Sequence, residues 1–145
     1  MTHARQQIRE AFAAQIAGLA SAATVYQWRA RAIPAAVKKA LRVSTPEEAI
    51  DNDGELGAAP SRELQIRVEI VVRQADNADD VVDQLCVEVE EAIAADETLG
   101  GLLLWCRPTG FEGDILEESA ETEMQGALTF GAMYSVALTD VETII

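Results

Sequence analysis

The spacing of apolar residues predicts two amphipathic helices. Between residues 4 and 19 apolar side chains recur every three or four positions, which places them on one helical stripe: Ala4, Ile8, Ala11, Phe12, Ile16 and Leu19. We expect Thr2 to be the N-cap of this helix and Gly18 to mark its end. A second stripe predicts a helix over residues 77–96, with Asn77 as its N-cap and acidic residues in its first turn.

Several segments of the sequence are predicted to be strands. The clearest case is residues 63–73, whose period of two is that of a half-buried strand. Further strands are predicted over residues 25–29, 102–112 and 124–138, the last with alternate apolar residues on one face. Residues 35–43 are ambiguous, because their Lys-Lys-Ala-Leu centre favours a helix while their position between turns favours a strand. We predict a strand there.

Two acidic segments rich in glycine, proline and small residues are predicted to be long surface loops. They cover residues 44–61 and 113–123. The resulting element order predicts a single α+β domain with a mostly antiparallel or mixed sheet of four to five strands. Two helices would pack on one face of that sheet. The other face then needs a polar surface or a partner.

Charge is distributed unevenly along the 145 residues, whose formal net charge is −14. Residues 1–43 carry seven basic side chains and one acidic side chain, which makes this segment +6. The remaining residues carry four basic and 24 acidic side chains, or −20. Non-specific nucleic-acid binding is not expected of such a chain. The polarity instead suits a head-to-tail contact between copies, for which the basic candidates are Arg29, Arg31, Lys38, Lys39 and Arg42.

No motif of site chemistry is present, so we predict a protein that is not an enzyme and has no cofactor or metal site. The sole histidine, His3, lies near the terminus and leaves no usual base for a catalytic triad. With Gly54 at position 6 of a calcium loop, the ligand positions 1 and 12 are Ala49 and Pro60, which cannot serve. Adventitious binding of divalent cations by the acidic loops stays open.

Neither a redox site nor a membrane segment is expected. Cys86 and Cys106 are predicted to be free thiols packed as small apolar residues, because no CxxC spacing is present. No apolar run approaches the ~20 residues that cross a bilayer. The first ten residues are polar and no apolar signal segment follows them, which predicts a cytoplasmic origin.

Taken in order, these elements resemble the tail terminators, the minor tail protein U type, of phages with long non-contractile tails. The resemblance covers nearly the whole chain and rests on pattern and order. One departure is Lys38-Lys39, where the family tends to be apolar. The matching segments are the helix over residues 5–19, the strand start at Pro34-Ala35, the acidic loop, the strand over residues 62–70, the helix over residues 79–85, the turn over residues 110–114 and the closing strand from 126 to 136.

The resemblance implies a homo-oligomeric ring, typically a hexamer, at the head-proximal end of the tail tube. Such a ring stops tube polymerisation and offers a surface to the head connector, or neck, protein. It implies a location in the virion tail after assembly in the cytoplasm of a bacterial host. An acidic lumen would let DNA pass without sticking. We expect the acidic loops to become ordered on the tube or to line the channel, through Asp51, Asp53, Asp114, Glu117 and Glu118.

Two other classes of protein stay open at this point. One is another neck or tail-completion component, which would share the small α/β architecture and the setting. The other is a small-molecule-binding regulatory or enzymatic domain.

Overall fold

The computed structural model describes residues 2–28, 32–51, 60–74, 76–117, 122–137 and 140–145, with 115–117, 122 and 137 described through their backbone. These residues form two helices and a six-stranded sheet, so the predicted α+β class is confirmed, with one strand more than expected. In chain order the elements are α1 (Ala4–Gln15), β1 (Thr24–Gln27), β2 (Lys39–Asp51), β3 (Ser61–Gln74), α2 (Ala78–Ala95), β4 (Trp105–Glu117), β5 (Thr122–Ala137) and β6 (Asp140–Ile144).

The sheet has the strand order β1-β2-β3-β5-β4, and β6 pairs with the end of β5. β1 runs parallel to β2, and every other neighbouring pair is antiparallel. β3 and β5 form the central pair and stay in register from Ser61 opposite Ser135 to Gln74 opposite Thr122. The two open edges of this order are therefore β1 and β4.

One face of the sheet forms the core and the other lies towards solvent. The core face carries alternate residues of β3, from Leu64 to Val72, which are fully buried. Both helices pack on this face, and the rings of Phe12 in α1 and Phe130 in β5 meet edge to face with centroids 5.2 Å apart. The intervening residues of β3 are partly exposed or exposed on the opposite face, except for Val71. We call that opposite side the outer face.

A short segment covers one end of the outer face. Ile33 packs there against Ala40 and Val71 in a small second core. Arg73 holds this segment through its guanidinium, which donates to the carbonyl oxygens of Pro34 at 2.8 Å and of Val37 at 3.2 Å. Because these carbonyls belong to the connection between β1 and β2, Arg73 fixes the connection that makes the parallel pairing possible.

The N-cap residue of α1 differs from the prediction, whereas Asn77 is the N-cap residue of α2 as predicted. His3, not Thr2, caps α1, because its Nδ1 atom accepts a hydrogen bond of 3.0 Å from the backbone N–H of Arg5. Asn77 lies at the N-cap of α2 but its side chain makes no capping hydrogen bond. Its backbone is left-handed, with φ of 60°, and its carbonyl accepts from Val81 N–H. The segment, rather than the amide side chain, starts the helix.

The two long acidic loops were the main error. β2 continues through Glu47 and Glu48 to Asp51, and β3 already begins at Ser61, so the predicted loop over residues 44–61 is strand in all its described residues but Pro60. β4 likewise runs to Glu117 and β5 starts at Thr122. The turn predicted over residues 110–114 is strand that follows a bulge between Pro108 and Gly110. Acidic side chains on strands facing water explain the error, since solvent satisfies them as well as it does in a loop.

Candidate interaction surfaces

The candidate basic residues lie near the β1 edge where the structure describes them. Lys38 is exposed and Lys39 is half-buried, with its Nζ atom 3.3 Å from the carbonyl oxygen of Ser21. Arg42 lies on the outer face, next to Tyr26 of β1, and forms an ion pair with Glu69 of β3. Arg29 and Arg31 lie outside the described residues. The structure thus brings three of the five candidates to one side of the sheet.

The candidate acidic residues are not brought together. Asp51 ends β2 opposite Ser61, while Asp114 lies in β4 opposite Gln125 of β5. Since Ser61 itself pairs with Ser135, the two aspartates are separated by about ten residues of β5, or roughly 33 Å. Both are exposed strand residues and not loop residues.

The remaining acidic candidates are less informative. Glu117 is the last residue of β4, so its backbone too belongs to a strand and not to the expected loop. Asp53 and Glu118 lie outside the described residues.

The outer face carries a groove that sequence reasoning missed. It has a volume of about 560 Å³ and runs along the small residues of β5, between long side chains of β3 and β4. Gly126 and Ala127 form its floor, and Arg67, Glu69 and Glu112 stand beside it. The small residues of β5 are visible in the sequence. Only the strand order shows that long side chains of β3 and β4 flank them and form a groove.

A buried polar cluster on the core face was also missed. The Glu48 side chain is 5% exposed and lies 2.7 Å from Arg5 Nη1 and 3.3 Å from Arg62 Nη1. The Tyr134 hydroxyl donates to its other carboxylate oxygen. Burial, followed by the hydrogen bond and charge of Glu48, raises the pKa of Tyr134 well above its usual range. Four elements meet in this cluster, which joins the start of α1 to β2, β3 and β5.

The polar cluster is suited to holding elements of the fold together and not to acid–base catalysis. A phenol with a raised pKa stays protonated at neutral pH and serves as a hydrogen-bond donor. Arg62 is buried, and its Nε atom finds no hydrogen-bond partner among the described residues. Arg62 continues the buried positions of β3 towards its start, and its pairing with Glu48 depends on the register between β2 and β3.

The two cysteines are free thiols, as predicted. Cys106 is buried in β4, and this burial raises the pKa of its thiol to about 12. Cys86 is half-buried on α2, where burial and the charges of Glu90 and Asp83 raise its pKa to about 11. Neither thiol is therefore a thiolate nucleophile near neutral pH.

The described part of the chain has neither a metal-binding cluster nor a membrane-spanning helix. No group of three or more histidine, cysteine, aspartate or glutamate residues within it has the arrangement of a metal site. Of its two helices, neither is both long and apolar enough to span a membrane.

A third open surface lies between α2 and the β4 edge. Phe111 is 44% exposed here although it points to the core side of β4, and its ring lies over Gly126. A groove of about 390 Å³ surrounds Phe111, with Asp83 and Glu90 of α2 and Pro108 of β4 among its lining residues. The groove therefore combines an exposed aromatic ring with acidic side chains.

Comparisons with known proteins support the fold alone. No family model and no curated protein matches the sequence. A solved structure of a protein without a functional name aligns with 88% of this chain and 92% of its own chain, with a TM-score of 0.52 and 17% sequence identity. At this identity the likeness shows a shared architecture, which extends over almost the full length of both chains.

Proposed function

We propose that this protein is a tail terminator, a structural protein whose copies form a ring at the head-proximal end of a phage-like tail tube. The ring would stop the addition of tube subunits and present a surface to the head connector protein. In this proposal the protein acts in the virion tail, after assembly in the host cytoplasm, and performs no catalysis. DNA would pass through the ring without sequence-specific contacts.

The observation that carries the proposal is the charge difference between the two open edges of the sheet. Lys38, Lys39 and Arg42 lie at the β1 side, in the segment whose net charge is +6. The exposed side chains of Glu112 and Asp114 lie on β4, at the opposite edge. Unlike surfaces at opposite sides of a subunit favour a heterologous contact, which closes into a ring when the rotation between copies permits.

The open edges support the same proposal. Among the described residues, β4 pairs with β5 along one edge and no strand pairs with its other edge. β1 pairs only with the first residues of β2, from Ala40 to Val43. Unpaired strand edges attract other chains unless they are protected. Pro108 and the adjacent bulge protect part of β4. The rest offers contacts to another copy or to the tube.

The acidic residues would serve the two faces of the ring. Because Asp51 and Asp114 lie at opposite ends of the sheet, one could meet the tube while the other meets the connector. This arrangement replaces the expectation that both belong to loops that become ordered together. A negative lumen would repel DNA phosphates and keep the channel open.

Tube capping tests the proposed function directly. Purified protein is added to growing tail tubes of its own particle, and tube length and tube ends are followed by electron microscopy. We expect shorter tubes with one ring at one end. Tubes that elongate unchanged while the protein binds the portal side of the head would instead indicate a neck protein.

Charge reversal tests the assembly contact. Arg29 and Arg31 both replaced by Glu should weaken oligomerisation and make the remaining association depend on salt. The control is the single substitution Arg67→Glu, because Arg67 lies on the outer face of β3, in the middle of the sheet. Sedimentation profiles that stay unchanged for the double variant across ionic strengths would count against a basic contact surface.

A further inference from the structure

The groove between α2 and β4 contains an aromatic side chain, Phe111, that is largely exposed to water. Phe111 exposes 44% of its surface there, beside Pro108 and above the buried Leu128. The ring fits against position 126 because that residue is glycine: a Cβ atom there would come within 2.8 Å of the Phe111 ring. An exposed aromatic ring held in a shaped groove is typical of a contact surface.

The charge of this groove selects a cationic partner. Asp83 and Glu90 line it, and none of its lining residues is basic. The half-buried thiol of Cys86 lies between them in the same groove, and its raised pKa reflects the two carboxylates in addition to burial. A partner that fills this groove should therefore combine an apolar or aromatic side chain with positive charge.

The opposite edge of the same chain has this chemistry. Trp28 follows β1 and is 52% exposed. In the sequence it is followed by Arg29 and Arg31, and the described side chain of Arg9 reaches Gln27 of β1 at 3.4 Å. Tryptophan beside arginine is the composition that dominates the binding energy of many interfaces.

The backbone at Trp28 is also unusual. Its φ is 34°, a left-handed value that a bulky residue rarely adopts. The Trp28 N–H donates to the carbonyl oxygen of Val43 at 3.1 Å, which continues the pairing with β2 while the chain turns away. Such strain is concentrated at functional positions, and here it holds an indole in water.

Trp28 cannot fill the groove of its own chain. Between β1 and β4 lie three strands, so the two edges are separated by four strand spacings, or roughly 19 Å. A second copy of this chain carries the same exposed tryptophan and is the partner whose chemistry matches the groove. We propose that Trp28 of one copy packs against Phe111 in the groove of the next copy. The cation Arg9, whose side chain reaches the neighbouring Gln27, would then face Asp83 and Glu90. This contact rests on the proposed ring and specifies which surfaces form it.

Single substitutions provide the first test, with mass photometry and sedimentation velocity as readouts. Trp28→Ala and Phe111→Ala should each weaken association of the wild-type oligomer at least tenfold. Leu104→Ala is the matched control, because Leu104 is 64% exposed but lies about 20 Å along the chain from Phe111. Asp83→Lys with Glu90→Lys supplies a second groove variant that leaves the Phe111 ring in place. Unchanged oligomers for both groove variants would overturn this contact.

Mixing two defective variants tests the direction of the contact. Trp28→Ala keeps an intact groove, while the Asp83→Lys, Glu90→Lys variant keeps an intact Trp28. Together they can form one good junction, so we expect 1:1 dimers and no rings. A mixture that stays monomeric, or that restores full rings, would overturn the head-to-tail arrangement.

Thiol labelling reports on the groove in the wild-type protein. Cys86 should react with a maleimide at least tenfold more slowly in the ring than in the monomer, while buried Cys106 stays protected in both. Equal Cys86 rates would overturn the contact. If rings form and cap tubes but ignore the groove variants, this contact is wrong and the proposed function stands. If tubes are never capped, the proposed function is wrong whatever the labelling shows.

Discussion

Replacing Glu48 with glutamine would remove the negative charge from the buried polar cluster while keeping the shape of the side chain. In the native protein the Glu48 carboxylate faces Arg62, and their side chains are 5% and 7% exposed. Arg62 would keep its charge in a site that water hardly reaches, and its Nε atom already finds no hydrogen-bond partner among the described residues. Breaking a buried pair in this way costs about 3–5 kcal/mol, because one charge is left uncompensated.

That cost is large for a protein of this size. Small domains have free energies of unfolding of about 5–15 kcal/mol. For a chain of 145 residues, a loss of this magnitude lowers Tm by roughly 10–20 °C. Urea unfolding followed by circular dichroism measures it, provided that the slope of the transition is unchanged. Arg5→Ala is the control, because Arg5 is 40% exposed and its pairing with Glu48 should contribute less than about 1 kcal/mol.

A double variant separates the charge effect from packing. Glu48→Gln combined with Arg62→Met removes both charges and should recover much of the loss, since the isolated cation is gone. If Glu48→Gln costs less than about 1 kcal/mol, or if adding Arg62→Met increases the damage, the cluster does not act as a buried ion pair.

Three other predictions concern separate parts of the molecule. Gly126→Ala should cost about 1–3 kcal/mol in urea unfolding and Phe111→Ala should relieve it, because the new Cβ atom meets the Phe111 ring at 2.8 Å; an unchanged midpoint contradicts this packing. Cys86 should react with a disulfide reagent about tenfold faster for each pH unit up to its pKa of about 11, whereas a rate that levels off near pH 9 contradicts the raised pKa. The Asp96 carboxylate accepts hydrogen bonds from Thr98 and from Gly100 N–H, which lowers its folded pKa below 3.8, so its contribution to stability is present above pH 3.8 and lost as pH falls through the folded pKa. The difference in free energy of unfolding between wild type and Asp96→Asn should therefore shrink as pH falls below 3.8. A difference that does not change with pH contradicts this role of Asp96.

Sequence patterning predicted the core elements well because their periodicity is local. The alternation from Leu64 to Val72 gave the correct face of β3, and the apolar spacing of both helices gave their buried stripes. These signals depend on neighbours within a few residues. They survive without knowledge of the strand order.

The acidic second halves of β2 and β4 could not be predicted in the same way. Glu47, Asp51 and Asp114 are acidic because those parts of β2 and β4 face water, and acidic composition is equally typical of loops. Glu48 was the harder case, since it looks like its neighbour Glu47 but is buried by Arg62 and Tyr134 from two other strands. Contacts of that kind are set by register between distant segments.

The candidate surfaces show the same division. Net charge along the chain identified the basic segment, but the groove around Phe111 needs α2 and β4 side by side, which no local pattern reveals. Trp28 falls within the strand predicted over residues 25–29 but lies beyond the end of β1, where it is 52% exposed.

The position of β5 has a consequence for how the protein is made. β5 hydrogen-bonds to β3, β4 and β6, and β4 pairs with no other described strand. During synthesis, β2 and β3 can form a hairpin early, but β4 has no partner until the ribosome has produced residues 122–137. α2 can pack on β3 before then, but its contacts with β4 and β5 wait for the same event. We therefore expect a slow folding step, of milliseconds to seconds, in which unpaired strands are exposed to aggregation.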